Sequence, residues 1–391
     1  MSASVLIVRY GEIALKKGNR PFFEKLLIKN IKASLYPVKD SYKLESHWGR
    51  ILIYPFNNKG KIISCLLKCF GIVGISDAVE CSLEREEIEK TLIELAKGLP
   101  IHSQCRFKIE TKRKNKLFPL DTYKVNCWLG DLILQNFPNF KVDVHNPEVI
   151  FSVDICEKSC FLYHKTYKAL GGLPLGSGGK ALALISGGID SPVATWLMMK
   201  RGVEVEVVYF HTPPFTGERA LNKVRKLVER LSFYSPRGIK LWIVNFTPIQ
   251  EVIHQNVQEK FLTLIMRRTM IKIAEALARK NNQKALITGE NLGQVASQTL
   301  EAISVIEEAS SYPIFRPLIG FDKTEIISLA REIETYSISI LPYQDCCSLF
   351  VPKHPKTCPK LKEILEIEKP LSLSPLIDKA VKEACEEFIY C

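Results

Sequence analysis

No stretch of this 391-residue chain approaches the ~18 consecutive apolar residues that span a bilayer, so no transmembrane helix is expected. Nor is there a C-x-x-C pair, which leaves zinc ribbons and ferredoxin-type clusters without support, or the G-K-[ST] of a Walker loop. Internal repeats and low-complexity tracts are missing too. The opening residues MSASVLIVRYGEIALKKG interleave charges with apolar side chains and lack a small-residue cleavage site, unlike a signal peptide. What remains is the balance of an ordinary globular protein, with 46% apolar, 25% charged and 9% aromatic residues. Disorder, collagen and a coiled-coil rod are excluded as whole-chain readings, and the length suits two or three domains.

Acidic residues are the other shortage: 54 Lys and Arg face 42 Asp and Glu, a net charge of +12. The imbalance is local. Residues 1–180 carry 28 basic and 18 acidic side chains, a net of +10, and residues 181–391 carry the remaining 26 and 24, a net of +2. The N-terminal half therefore either meets a polyanion such as nucleic acid or presents a solvated basic surface.

The twelve cysteines, among them Cys65, Cys69, Cys81, Cys105, Cys127, Cys156 and Cys160, do not read as a disulfide framework in a chain of this length, and most of them read as small core residues. The vicinal pair Cys346-Cys347 differs. It follows Pro342 and precedes Pro352 and Pro355, which predicts a loop.

Along the chain, VLIVRY (5–10) alternates like a strand, a helix opens at Pro21 and runs to about Tyr36, and 42–54 alternates again. Between them Lys16-Lys17-Gly18-Asn19-Arg20 is a basic turn before a helix N-terminus, either a surface loop or a phosphate holder. Helical spacing near 60–70, 84–98 and 122–136 then alternates with strand-like runs near 105–111, 149–155 and 160–167, and Asp121 or Thr122 is placed to cap the third helix. A basic loop, Lys112-Arg113-Lys114-Asn115-Lys116, follows the first of these strands. GGLPLGSGG (171–179) is the clearest linker, and the charge balance changes there. Beyond it, ALALI (181–185), VEVEVVYF (203–210), KLWIVNF (240–246) and ALITG (285–289) alternate with helices from Ser191, near 217–231 and near 257–280, the signature of a doubly wound parallel sheet.

The strongest chemical signal is Ser186-Gly187-Gly188-Ile189-Asp190-Ser191, which follows an apolar strand and opens a helix. Two glycines let successive N–H groups converge on phosphate oxygens, and a carboxylate beside such a cradle suits Mg²⁺. An ordinary glycine-rich strand–helix turn is the alternative.

SGGIDSPVA (186–194) resembles the pyrophosphatase loop of the adenine-nucleotide alpha-hydrolase-like enzymes, which split ATP into AMP and pyrophosphate. Within that group the chain is most similar to the tRNA 4-thiouridine synthetase (ThiI) family, through MRRTMIKIAEALARKNNQKALITGENLGQVASQTLEAI (266–303), IFRPLIGFDKTEII (314–327) and DCCSLFVPKHPKT (345–357). FKIETKRKNKLFPLDTYKVN (107–126) looks like the family's THUMP RNA-binding domain and VRYGEIALKKGNR (8–20) like its ferredoxin-like domain. The resemblance implies an α/β protein with an N-terminal ferredoxin-like α+β unit over 1–60, a THUMP domain over 61–168, a linker over 169–179 and a doubly wound parallel-sheet ATP-pyrophosphatase (PP-loop) domain over 180–391.

It also implies an ATP-dependent tRNA sulfurtransferase that forms 4-thiouridine at position eight. Such an enzyme would use Mg²⁺, act on tRNA, receive persulfide sulfur from a cysteine desulfurase and reside in the cytoplasm without a membrane partner; a homodimer stays open. Carried over residue by residue, the ATP site comprises Leu184, Ile185, Ser186, Gly187, Gly188, Asp190, Ser191, Tyr209, Phe210, Arg267, Gly289 and Gln298. Asp190 would also meet Mg²⁺, and Lys323 matches a family lysine associated with adenylation. Lys112, Arg113, Lys114 and Lys116, with Lys16 and Lys17, are the tRNA-binding candidates.

For sulfur transfer, the preceding acid aligns Cys347 with the family's catalytic cysteine, whereas counting from Lys323 favours Cys346; Cys358 is a further candidate for resolving the disulfide. Longer relatives carry a rhodanese-like domain after this loop. Here the expectation is that it is absent, which places the persulfide on the PP-loop domain and leaves a role in thiamine thiazole synthesis in question. Two rivals stand: a PP-loop enzyme of the 2-thiouridylase type, disfavoured by the THUMP-like segment, and a non-catalytic tRNA-binding protein, disfavoured by the intact loop and its cysteines.

Overall fold

The alternating run at 5–10 forms β1 (Ala3–Tyr10) in a computed structural model that describes residues 3–47, 49–100, 104–295, 297–343 and 355–390. By its contacts the chain divides into one unit of Met1–Pro21 with Ser34–Gly172 and a second of Phe22–Ala33 with Leu173–Cys391. The division falls at 172/173, inside the glycine-rich segment.

The first unit is built on an eight-stranded sheet. β1 pairs antiparallel with β3 (Arg50–Pro55), which closes a hairpin with β2 (Tyr42–His47), and on its other side with β4 (Ile72–Cys81). β4 in turn pairs with β8 (Cys160–Lys168), and β7 (Val149–Ile155), β5 (Cys105–Arg113) and β6 (Phe140–Val142) complete the order β2-β3-β1-β4-β8-β7-β5-β6. β4 escaped the sequence reading because Gly74 and Asp77 interrupt its apolar pattern, yet it makes the ferredoxin-like and THUMP segments share one sheet. Helix α1 (Arg20–Ser34) precedes α2 (Lys59–Leu67), α3 (Arg85–Lys97) and α4 (Thr122–Asn136). Asp121 caps α4, its Oδ1 accepting from the Lys124 N–H at 2.8 Å. Phe107, Phe140 and Phe151 pack edge-on or tilted in the core between α3, α4 and the sheet.

Most of α1 belongs to the second unit. Asn30 is buried and its Nδ2 donates to the Leu175 carbonyl at 2.9 Å, so the helix is fixed to the segment that looked like a free linker. That segment is itself tied down: the Leu173 N–H bonds to Lys200 O, and the Gly176 and Gly178 N–H groups both bond to Gly202 O.

The rest of the unit alternates strand and helix as its apolar runs dictate. β9 (Lys180–Leu184), α5 (Asp190–Lys200), β10 (Glu204–His211), α6 (Glu218–Ser232), β11 (Ile239–Asn245), α7 (Thr247–Asn256), α8 (Leu262–Lys280), β12 (Leu286–Ile287), α9 (Leu300–Glu307), β13 (Ile314–Phe315), α10 (Lys323–Glu332), α11 (Tyr336–Ser339), α12 (Leu361–Glu368), α13 (Ser374–Lys382) and β14 (Cys385–Ile389) follow in turn. The sheet order is β13-β12-β9-β10-β11-β14, parallel except for the antiparallel edge strand β14. The helix expected over 257–280 begins at Leu262, after a short 3₁₀ turn over Glu259–Phe261. No described helix is long and apolar enough to cross a membrane.

α8 runs through the core of this sheet's largest apolar cluster and carries a buried cation, Arg268, only 1% exposed. Its Nε donates to Glu368 Oε1 and its Nη2 to Glu308 Oε2, both at 2.8 Å, and its Nη1 donates to the Val305 carbonyl. Lys272 Nζ reaches the other Glu368 oxygen at 2.8 Å. Burial works against the Glu368 carboxylate, but the bonds from Arg268 and Lys272 prevail and hold it below the usual Glu range. Arg268→Ala should therefore lower stability by about 3–5 kcal/mol, because it strands a buried carboxylate, as read by urea denaturation. Because the folded value is depressed, this stabilisation is present above the ordinary Glu range and is lost as pH falls through the lowered value. In Arg268→Ala that part of the acid slope should shrink.

Candidate active site

At the end of β9 the chain turns through residues 185–189 and enters α5 at Asp190. The turn is braced by its own serines: the Ser186 N–H donates to Ser191 Oγ at 2.8 Å, the two hydroxyls lie 3.0 Å apart, and the Gly188 N–H donates to Ser186 Oγ at 3.3 Å. The residue at the helix cap, Ile189, offers no side-chain acceptor to the first turn. A helix start of this kind, wrapped by a glycine turn, receives phosphate oxygens.

Gly289 sets the other wall. A Cβ there would lie 2.7 Å from the Ser191 nitrogen and 2.8 Å from its Cα, so the chain leaving β12 can approach α5 this closely only as glycine. Between these walls opens a cavity of about 470 Å³, a size that suits a nucleotide. Leu184, Ile185, Ser186, Gly188, Asp190, Ser191, Tyr209, Phe210, Arg267, Gly289 and Gln298 all line it, and Gly187 lies in the same turn. The site sits at the carboxyl ends of β9, β10 and β12, where open α/β sheets bind ligands.

Lys323 reaches this site from 133 residues away in sequence, its Nζ 2.6 Å from Asp190 Oδ1. The FDKTE sequence places it there through a capping box. Asp322 Oδ1 accepts from the Thr324 N–H and Glu325 Oε2 from the Asp322 N–H, each at 2.8 Å, which makes Lys323 the first residue of α10. Hydrogen bonds from Thr324, first from its N–H and then from its hydroxyl, hold the Asp322 carboxyl below its usual value. Gln294 Nε2 takes the second Asp190 oxygen at 2.9 Å. A Mg²⁺ ion brought in on phosphates would find a carboxylate ligand in Asp190 once Lys323 leaves Oδ1. A metal held by protein alone has no support, since no group of three His, Cys, Asp or Glu side chains is arranged for one among the described residues.

Sequence reasoning missed Glu290. It is 6% exposed and lines the cavity, with Oε1 accepting from Arg267 Nη1 at 3.0 Å and Oε2 from Arg316 Nε at 2.6 Å and Thr288 Oγ1 at 3.0 Å. An acid directly after the Gly at a strand's carboxyl end was the available signal. Gln294 and Thr288 were likewise passed over. Gln298 is buried, and its Oε1 has no hydrogen-bond partner among the described residues.

The basic candidates of the first unit separate into two kinds. Lys112, Lys114 and Lys116 are exposed, whereas Arg113 is half-buried and donates to the carbonyls of Phe118 and Leu120 at 3.3 and 3.1 Å, closing the loop on itself. Lys16 is half-buried and paired with Glu12 at 3.1 Å; Lys17 is exposed, at φ +43°, and opens the 3₁₀ turn Lys17–Asn19.

Cys346 and Cys347 lie outside the described residues. Of the other cysteines, burial pushes the Cys69 thiol up to about 12 and raises Cys105 as well, which makes them poor thiolates at neutral pH. Cys358 is exposed, beside Thr357, whose carbonyl accepts from Thr299 Oγ1 at 2.6 Å next to Gln298.

Residues 176–373 match the family model described as Thiamine biosynthesis protein (ThiI), 5–76 the ThiI ferredoxin-like domain and 84–165 the THUMP domain. A probable tRNA sulfurtransferase of Thermoanaerobacter sp. (strain X514) is 52% identical over 98% of this chain and 99% of its own length. One of Coxiella burnetii is 44% identical over 97% of each. Among solved structures, a 4-thiouridine synthetase in complex with RNA and bound ATP superposes with a TM-score of 0.91 at 40% identity, covering 99% of this chain and 100% of that one. A Pyrococcus horikoshii protein gives 0.66 at 28% identity over 85% and 99%.

The close approach at Gly289 yields a direct test. Gly289→Ala should push α5 away from β12 and weaken ATP binding by more than about tenfold, roughly 1.4 kcal/mol, in isothermal titration.

Proposed function

The chain belongs to the ThiI family and is a tRNA sulfurtransferase, and from that premise we propose that it makes 4-thiouridine at position eight of tRNA in two steps at the cavity beside α5. The observation that carries this reading is the self-braced turn 186–191 with Asp190 and Lys323 in contact on it.

In the first step ATP lies with its phosphates on the turn and the α5 N-terminus, and its base toward Gln298, whose unpartnered oxygen suits an exocyclic amino group. Uracil O4 attacks the α-phosphorus, an O–P bond forms, and pyrophosphate departs with the electrons of the broken P–O bond. Lys323 shifts from Asp190 toward the developing charge, and the loop N–H groups bind the leaving pyrophosphate. Asp190 and the phosphates would hold a Mg²⁺ ion, which would supply charge neutralisation of the leaving pyrophosphate. Glu290 holds the Arg267 guanidinium in the wall of the site.

In the second step a persulfide on Cys346 or Cys347, charged by a cysteine desulfurase, attacks uracil C4 with its outer sulfur, and AMP leaves with the C4–O electron pair. A second thiol then attacks the cysteine sulfur, leaving the outer sulfur on uracil and a disulfide in the protein. Cys358, exposed next to the Thr299–Thr357 bond, is a candidate for that thiol. A thiolate-capable, accessible cysteine is what this step demands.

The two steps separate by mutation. Asp190→Ala should abolish tRNA-dependent pyrophosphate release, whereas Cys346→Ser with Cys347→Ser should leave it intact and yield no 4-thiouridine with a desulfurase as donor. Nucleoside mass spectrometry reads the product; normal thiolation by either variant contradicts the assignment. The basic loop is tested apart from both. Replacing Lys112, Lys114 and Lys116 by Gln should weaken tRNA binding and lower the slope of log K against log salt by about 0.7–0.9 for each phosphate that the loop no longer neutralises. Arg113→Gln should cost stability more than affinity, because its guanidinium is spent on Phe118 and Leu120.

A further inference from the structure

Lys223 lies on the apolar face of α6, among Ala220, Leu221, Val224 and Leu227, and is only 5% exposed. Packing alone would be served as well by a methionine, and a buried ammonium is expensive unless it is well bonded. Its Nζ donates to the main-chain carbonyl of Leu341 at 2.8 Å and reaches that of Tyr343 at 3.4 Å. Those carbonyls stand just before Cys346 and Cys347 in sequence. Two further ties hold the same stretch to the nucleotide site. Ser339, at the end of α11, donates from Oγ to the Gly188 carbonyl of the phosphate turn at 3.2 Å, and Lys323, at the start of α10, meets Asp190. From 323 to 343 the chain is thus pinned to the turn at 186–191 by Lys323 and Ser339, and to α6 by the Arg230–Glu334 ion pair and, at its far end, by Lys223; in sequence it then continues into the cysteines.

We propose that Lys223 is a positioning residue for sulfur transfer: its buried ammonium fixes the stem at residues 341–343 from which the cysteine-bearing segment departs. The inference rests on the assignment of sulfur transfer to Cys346 or Cys347. The Leu341 and Tyr343 contacts with Lys223 are made through main-chain carbonyls, so they depend on the donor in α6 and not on the identity of residues 341 and 343. Adenylation needs the turn at 186–191, Lys323 and ATP in the cavity, and Lys223 is not among the residues that line that cavity. Sulfur transfer needs a thiol brought to uracil C4 with near-ångström accuracy, and displacement of that order costs roughly a hundredfold in rate.

Lys223→Met and Lys223→Arg test this beside the wild type and the Cys346→Ser, Cys347→Ser double variant. Lys223→Met should keep tRNA-dependent pyrophosphate release within about twofold of the wild type while desulfurase-dependent 4-thiouridine formation falls by roughly tenfold to a hundredfold. Lys223→Arg, which keeps the donors on a different reach, should fall in between. If Lys223→Met does not fold, as judged by its thermal transition, the same split between the two activities in Lys223→Arg decides the matter. Wild-type thiolation in the folded Lys223 variants overturns the proposal, as does an equal fall of both activities, which marks a merely structural role. Should the double cysteine variant itself thiolate normally, the assignment of the cysteines fails, an outcome distinct from a normal Lys223 variant beside a dead cysteine variant.

Discussion

Backbone lies directly on backbone where Gly289 meets the first turn of α5, and the second unit's site is organised around that contact. It brings the carboxyl end of β12 against the phosphate turn that follows β9, the strand with which β12 pairs in the sheet. Thr288 and Glu290, on either side of the glycine, are thereby placed in the wall of the cavity, and Glu290 collects Arg267 from α8 and Arg316 from beyond β13. One absent methyl group thus lets four separate stretches of chain share a single small volume. The doubly wound sheet supplies the convergence, because its parallel strands all end on the same edge.

How much of this could be read in advance depended on how local each signal was. The turn at 186–191 was legible because its two glycines, its acid and its place between an apolar run and a helix all lie within a few residues. β9, β10 and β11 announced themselves as buried apolar runs, and the linker glycines marked the division between units. β12 lies within ALITG (285–289), read from its apolar run, whereas β13, two residues long and too short for a period, came to attention only through the resemblance of the segment around it. β4 was hidden by Gly74 and Asp77, and Glu290, although it directly follows the glycine at a strand's carboxyl end, finds its partners 23 and 26 residues away. Arg113 differs from its neighbours in the basic run. A basic run reads as one patch, but alternation along an extended chain turns every second side chain inward. Lys112 and Lys114 therefore face solvent while Arg113 is spent on the loop's own carbonyls.

Charge is used in two ways in this chain. The first 180 residues hold a surplus of cations, several of them exposed and available to a polyanion. The remainder is close to neutral, and many of its charges neutralise one another internally: Arg268 with Glu308 and Glu368, Arg267 and Arg316 with Glu290, Lys323 with Asp190. Paired charges of the second kind fix geometry and leave little long-range field. Surplus cationic charge and internally paired charge are therefore assigned to different stretches of sequence.

Helix α1 adds a consequence for biosynthesis. It is encoded within the first tenth of the chain, yet residues 22–33 belong to the unit completed by Leu173–Cys391, so the polypeptide passes between units at 21/22, at 33/34 and again at 172/173. On the ribosome, this amphipathic segment emerges early and must wait for most of the remaining chain before its seat exists, exposed meanwhile to chaperones and to off-target pairing. A severed C-terminal half would lack one of its own helices, and Leu175 the side-chain amide that bonds its carbonyl. The gene therefore cannot be cut into two independently folding products at its most obvious glycine-rich seam, and any lineage that shuffled these modules would have had to carry α1 along with the distant half it completes.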